Sequence, residues 1–212
     1  NPLNYISLAI DHLRAELEAH CPDHAVEMAS VTDKIREEVR RANYMVLNFM
    51  NYGRPLKIRK APVSYPELLD RSLSVLQDKL TAQQVQVAIR IDPDLPELLL
   101  DAELMRNCIT NFITNAAQAM PEGGTITLGA TTDAEHPGRV CLTFADQGIG
   151  IAAEDLDKVF QPYFTTKEVG IGLGLAITER IIKEHGGTIT VTSQQGHGTV
   201  FTVRLPMEVQ QA

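Results

Sequence analysis

Apolar residues recur at alternating steps of three and four in two stretches near the start of the chain, the spacing that lines one face of a helix. Leu3, Ile6, Ile10, Leu13 and Leu17 make the first stripe. Met28, Val31, Ile35, Ala42, Met45, Phe49 and Tyr52 make the second, with Glu38 as the one break. The proline turn "HCPDH" separates them, so residues 1–58 read as a helical hairpin. Two narrow seams cannot enclose a core alone, whereas two copies of the hairpin make a four-helix bundle. The pattern therefore predicts a homodimer; the alternative is a hairpin packed on the rest of its own chain.

The period changes at "GRPLKIRKAPVSYPELL", where three prolines punctuate a basic stretch and place a linker near Gly53 to Pro62. Residues 59–212 form the second domain. In it "YPELLDRSLSVLQDKLTAQ" reads as a helix, "VQVAIRI" and "ELLLD" as strands, and "DAELMRNCITNFITNAAQAM" as a second helix. "GTITLGATT" and "RVCLTFA" alternate like strands, "AEDLDKVF" looks helical, and "GTITVTSQQ" with "GTVFTVRLP" closes the chain as a hairpin. Hairpins interrupted by helices predict an α+β fold with a mixed, largely antiparallel sheet and helices on one face.

Composition narrows the function. The 212 residues are 44% hydrophobic and 22% charged, enough for one substantial core or two small ones. No stretch reaches the roughly 20 apolar residues of a membrane span, so no membrane contact is expected from this sequence. Cys21, Cys108 and Cys141 lie far apart within periodic segments, as buried thiols do, and point to a reducing, cytoplasmic setting. A cytoplasmic portion of a membrane-anchored protein fits equally. The net charge of −8 argues against a nucleic-acid partner.

Candidate chemistry gathers around two glycine clusters. "DQGIGIA" sets Asp146, Gly148 and Gly150 where a strand ends, and "GIGLGLAI" sets Gly170, Gly172 and Gly174 at the start of a helix. Glycines of the second cluster let backbone N–H groups approach phosphate oxygens at the positive end of the helix. No GxxxxGK[ST] run is present, so a P-loop is excluded. Asn111 and Asn115 stand at i and i+4 on one helix face, and an amide oxygen is a suitable hard ligand for Mg²⁺.

Taken in order, these pieces resemble the ATP-binding domain of sensor histidine kinases: "NFITNAAQAM" is similar to the N box, "DQGIGI" to the first glycine box, "FQPYFTTK" to the F box and "GIGLGLAI" to the second glycine box. "NPLNYISLAIDHL" resembles the end of the family's phosphoacceptor segment, HExxNPL. The resemblance spans nearly the whole chain. It implies a Bergerat-type α/β sandwich that binds ATP and Mg²⁺, preceded by a dimerisation and histidine-phosphotransfer hairpin. By the same carry-over Asp146 accepts from the adenine amino group and Asn115 holds the metal. Asn111 and Gln118 line the phosphates, Phe160 and Phe164 anchor the lid, and Lys167 neutralises phosphate charge. Gly148 and Gly150 let the loop pass close to the adenine ring and sugar, and Gly170, Gly172 and Gly174 form the phosphate cradle, with Leu173 and Leu175 in the same binding segment. Ile171 departs from the small or methionine residue frequent in that box. Phe160 and Phe164 also suit a plain core pair, and Thr199 in "GHGTVF" reads as a strand hydroxyl.

ATPases of the wider superfamily that resemble this domain place a glutamate base four residues before the metal-binding asparagine, where this chain has Asn111. An amide cannot abstract a proton from water, so transfer to a presented nucleophile is favoured over hydrolysis. The implied acceptor histidine precedes Asn1 by four residues; His12 is an ordinary surface histidine in this reading. Asn1, one helical turn from that acceptor, would orient water against a phosphorylated aspartate of the partner response regulator. The rival expectation is a non-catalytic, ATP-dependent docking switch.

Overall fold

The computed structural model describes Ala9, His12, residues 30–36, Val39 and residues 57–133, 135–167 and 171–207. The chain divides into two compact units, 1–55 and 56–212. In the first unit residues 30–36 are helical, with Val31 and Ile35 exposed and Thr32 buried. The expected bundle seam otherwise lies outside the described residues, as do Asn1 and Gly170.

The second unit runs β1 (Ala61–Val63), α1 (Tyr65–Ala82), β2 (Val85–Ile91), β3 (Leu98–Leu100), α2 (Ala102–Ala119), β4 (Gly124–Thr132) and β5 (Arg139–Asp146). A 3₁₀ turn (Ala153–Lys158), α3 (Gly174–Glu184), β6 (Thr188–Gln194) and β7 (Gly198–Pro206) complete it. Five strands form one sheet in the order β2-β4-β5-β7-β6, with β2 and β4 parallel and the other pairs antiparallel. The parallel pair follows from chain path, because β3 and α2 form the crossover between β2 and β4.

Period-two alternation decides which face is covered. Ile126, Leu128 and Ala130 of β4, Val140, Leu142 and Phe144 of β5, and Phe201, Val203 and Leu205 of β7 are buried. Their neighbours on the opposite face include Thr125, Thr127, Thr143 and Thr202, and they stay partly open to water. Ile109, Phe112 and Ile113 of α2 and Ile181 and Ile182 of α3 complete the same core. Phe112 stacks on Phe144 at 4.4 Å between ring centroids. The layer of helices on one side of a mixed sheet is the α+β sandwich expected from the sequence.

Two local expectations need correction. Residues 61–63, assigned in part to the linker, form β1 and pair antiparallel with β3 as a separate two-stranded ribbon. Pro62 cannot donate to a ladder, but a two-stranded ribbon exposes one edge of each strand and tolerates it. "AEDLDKVF" forms a 3₁₀ turn and no α-helix: its six residues bury no side chain, so nothing favours propagation into a longer helix. Among the described residues no helix is long and apolar enough to cross a membrane.

Candidate nucleotide site

Helix α2 starts at a strong cap and carries the polar side chains of the site. Asp101 accepts at Oδ1 from the backbone N–H of Leu104 (3.1 Å) and at Oδ2 from that of Arg59 (3.0 Å). Desolvation alone would raise the Asp101 carboxyl, but the backbone donors Arg59, Leu104 and Glu103 hold it below the usual carboxylate range. The buried face of α2 is apolar, while Asn111, Asn115 and Gln118 fall on the face directed away from it.

Asp146 ends β5, half-buried. Its Oδ1 accepts from the backbone N–H of Gly148 (2.9 Å) and of Thr199 (3.2 Å). Its Oδ2 accepts no hydrogen bond from the described residues, which leaves one carboxylate oxygen for a ligand. Burial raises the Asp146 carboxyl above its ordinary value, against the pull of those two donors and of the Lys167 charge. Thr199 is buried, and its hydroxyl lies 3.0 Å from that of Ser193, which also takes the backbone N–H of Ile151 at 2.8 Å. Thr199 is thus more than a strand hydroxyl, because its backbone fixes the carboxylate. Its register partner across the sheet is Asp146 itself, a pairing that the sequence could reveal only once the strand order is known.

Gly148 packs against the end of α2, where a Cβ would stand 2.6 Å from the Ala119 carbonyl, and the next residue, Ile149, donates to that carbonyl at 3.0 Å. Gly150, at φ +68°, lies against the Gln194 backbone. The turn after Asp146 is thereby pinned to α2 on one side and to β6 on the other.

Asn111 is half-buried, and its Nδ2 donates to the Thr178 hydroxyl of α3 at 3.0 Å. Its Oδ1 packs against Gly174, where an added Cβ would force the Asn111 amide to shift. The second glycine box therefore opens α3 directly against α2. Leu173 is buried at the start of α3, and Leu175 packs against the core. Gly172, at φ +68°, accepts at its carbonyl from Tyr163 at 2.9 Å and closes this box against the segment "FQPYFTTK". Phe160 meets Phe201 edge-on at 6.3 Å and belongs to the margin of the core. Phe164 is half-buried beneath the Lys158 ammonium, 5.8 Å from its ring centroid.

Lys167 reaches across to α2. Its Nζ donates to Asn115 Oδ1 at 3.1 Å and to Gln118 Oε1 at 2.6 Å. The residue is exposed as a whole, yet the ammonium sits low between the amides. Its pKa is lowered first by desolvation and further by the charge of Lys79, against the attraction of Asp146. Asn115 and Gln118 so converge on a single cation, and neutral oxygen donors of this kind suit Mg²⁺, which keeps most of its waters. Among the described residues no group of three or more His, Cys, Asp or Glu side chains could hold a metal.

The sheet, the carboxylate at the end of its central strand and the two glycine turns define a nucleotide-site architecture of the Bergerat type. Residues 100–209 match the family model described as histidine kinase-, DNA gyrase B-, and HSP90-like ATPase, and the chain belongs to that family, within its sensor histidine kinases. It is 33% identical over 209 residues to the sensor histidine kinase ZraS of Escherichia coli (strain K12), covering 99% of this chain and 43% of the relative. The full-length ShkA structure in complex with AMPPNP superposes with a TM-score of 0.75 at 28% identity, over 88% of this chain and 40% of that one. The catalytic domain of the histidine kinase ThkA gives 0.63 at 27% identity, over 70% of this chain and 96% of that domain. The chain thus spans less than half the length of ZraS.

Proposed function

We propose that this chain is the kinase core of a sensor histidine kinase, in which residues 59–212 bind Mg²⁺-ATP and residues 1–58 form the dimerising, phosphotransfer hairpin. The observation that carries the reading is the placement of Lys167, whose ammonium takes the Asn115 and Gln118 oxygens and lies within charge range of Asp146, a carboxylate with one open oxygen. Asp146 Oδ2 accepts from the adenine amino group, and the half-buried setting penalises a base that leaves the carboxylate unpaired. Asn115 holds Mg²⁺, with Gln118 beside it, and the metal supplies neutralisation of phosphate charge when bound. Gly172 and Gly174 present backbone N–H groups to the phosphates. AMPPNP, bound by the related ShkA, is an ATP analogue, in keeping with this ligand class.

An imidazole nitrogen of the acceptor histidine attacks the γ-phosphorus, the bond from that phosphorus to the bridging β–γ oxygen breaks, and ADP leaves. Asn111 favours this course over hydrolysis, since its amide is tied to Thr178 and cannot act as a base for water. The phosphoryl group then passes to an aspartate of a response regulator, and Asn1 orients water for its later removal. Val31 and Ile35, one helical turn apart and 45% and 42% exposed, support a second copy as the cover of that stripe.

Titration calorimetry with ATP and Mg²⁺ tests the site. Asn115→Ala is expected to abolish metal-dependent binding and Asp146→Asn to weaken it; wild-type affinity in both would overturn the assignment. Radiolabelled ATP supplied to a chain extended before Asn1 tests transfer. Labelling at His12 in the present chain, or no labelling of the extended chain, would refute it.

A further inference from the structure

We infer that Lys167 is a stand-in cation, whose ammonium holds the Asn115 and Gln118 oxygens and competes with a divalent metal for Asn115 Oδ1. The inference rests on the nucleotide-site reading above and deepens it. Asn115 and Gln118 lie three residues apart on α2, and their side-chain oxygens converge on an ammonium brought from 49 to 52 residues farther along the chain. A surface lysine that merely snorkels reaches for water or a carboxylate; this one takes two neutral amide oxygens, one of them at 2.6 Å. That is the donor set of a cation subsite.

An amide oxygen that ligates Mg²⁺ does so at about 2.0–2.1 Å. An ammonium on the same oxygen at 3.1 Å would then face a dication a few ångströms away, where like charges repel strongly. The two cations therefore exchange. Lys79 adds a further positive charge within range of Lys167, which weakens the hold on a protonated ammonium. Once displaced, Lys167 keeps three N–H donors for phosphate oxygens. Its position thus reports the metal: on the amides without it, on phosphate with it.

Calorimetry of Mg²⁺ alone, in the wild type and in Lys167→Met, tests this, because without nucleotide there is no phosphate to take the displaced ammonium. Removing the competing cation should tighten Mg²⁺ binding about tenfold, a difference of one decade in the binding constant. The side-chain amide resonances of Asn115 and Gln118 should also shift in Lys167→Met with no nucleotide present. An Mg²⁺ affinity equal to that of the wild type, or unshifted amides, would overturn the inference while leaving the nucleotide site intact. A wild-type chain that binds no ATP, with Mg²⁺ or with a chelator, would overturn the functional reading, and the inference with it.

Discussion

The backbone N–H of Asp101 donates to Nε2 of His185 at 3.0 Å, and so joins the start of α2 to the end of α3. The other ring nitrogen, Nδ1, lies 2.7 Å from the Ile181 carbonyl, which can only accept. Nδ1 therefore carries the proton and Nε2 is the acceptor, a neutral tautomer fixed by its neighbours. The contact holds together the helix that carries Asn111, Asn115 and Gln118 and the helix opened by the second glycine box.

Substituting His185 by leucine should leave the Asp101 N–H without its partner in a nearly water-free position, since His185 is only 1% exposed. A buried backbone donor left unpaired costs about 1–3 kcal/mol. Urea unfolding of the variant is expected to show a loss of that size. A loss below about 0.5 kcal/mol, the range of ordinary surface substitutions, would show that the contact does not hold the helices.

Local patterns made most of the fold legible. "RVCLTFA" alternates strictly because one face of β5 is core and the other water, and the glycine boxes are legible because their spacing is set by turns a few residues long. Long-range pairings were not. Nothing within either segment signals that Thr178 would partner Asn111 from 67 residues away, or His185 partner Asp101 from 84. The ribbon of β1 with β3 was hidden for the same reason, with Pro62 arguing locally for a linker. In the site, Asp146 was legible from its turn, whereas Thr199 became recognisable only when β5 and β7 were known to be neighbours.

The raised pKa of Asp146 gives the site an acid limit. Its folded carboxyl titrates above the unfolded one, so the native state takes up the proton first as pH falls, and stability rises relative to neutral pH through that window. Adenine recognition, as proposed for Asp146, would have the opposite dependence, because the accepting form is the ionised one. ATP affinity should therefore fall on acidification from a pH above the ordinary aspartate range, while thermal stability does not fall with it through this group. Asp146→Asn should be weaker throughout and should lose this acid limb. Calorimetry across pH decides the matter; an acid limb of the same midpoint in the variant would assign it to another group.

Thr178 should govern the orientation of Asn111. The threonine is 2% exposed and its hydroxyl takes the Asn111 N–H at 3.0 Å. Thr178→Val keeps the shape and leaves that donor unpaired, at a cost of about 1–3 kcal/mol, while Thr178→Ser restores the hydroxyl. The valine variant should bind ATP several-fold more weakly than the serine variant at equal folded fraction. Equal affinities would reduce Thr178 to a packing residue.

Gly172 offers the sharpest separation of site geometry from stability. At φ +68° it sits where an L side chain is strained, and a Cβ would also meet the Phe164 carbonyl oxygen and stand 2.5 Å from the Tyr163 carbonyl carbon. Tyr163 is itself at φ +68° and donates to Gly172, so neither backbone has an easy way to retreat. Gly138, in the turn between β4 and β5, shares the positive φ at +84° but has nothing within 4 Å of an added Cβ. Alanine at Gly138 should cost only the left-handed strain, about 1–2 kcal/mol, and spare nucleotide binding. Alanine at Gly172 adds a forced shift of the two segments that meet at the proposed phosphate cradle. It should lower ATP affinity at least tenfold beyond the Gly138→Ala control when both are measured well below their melting temperatures. Equal ATP affinity in the two variants would remove the second glycine box from the binding site and leave Gly172 as a turn residue.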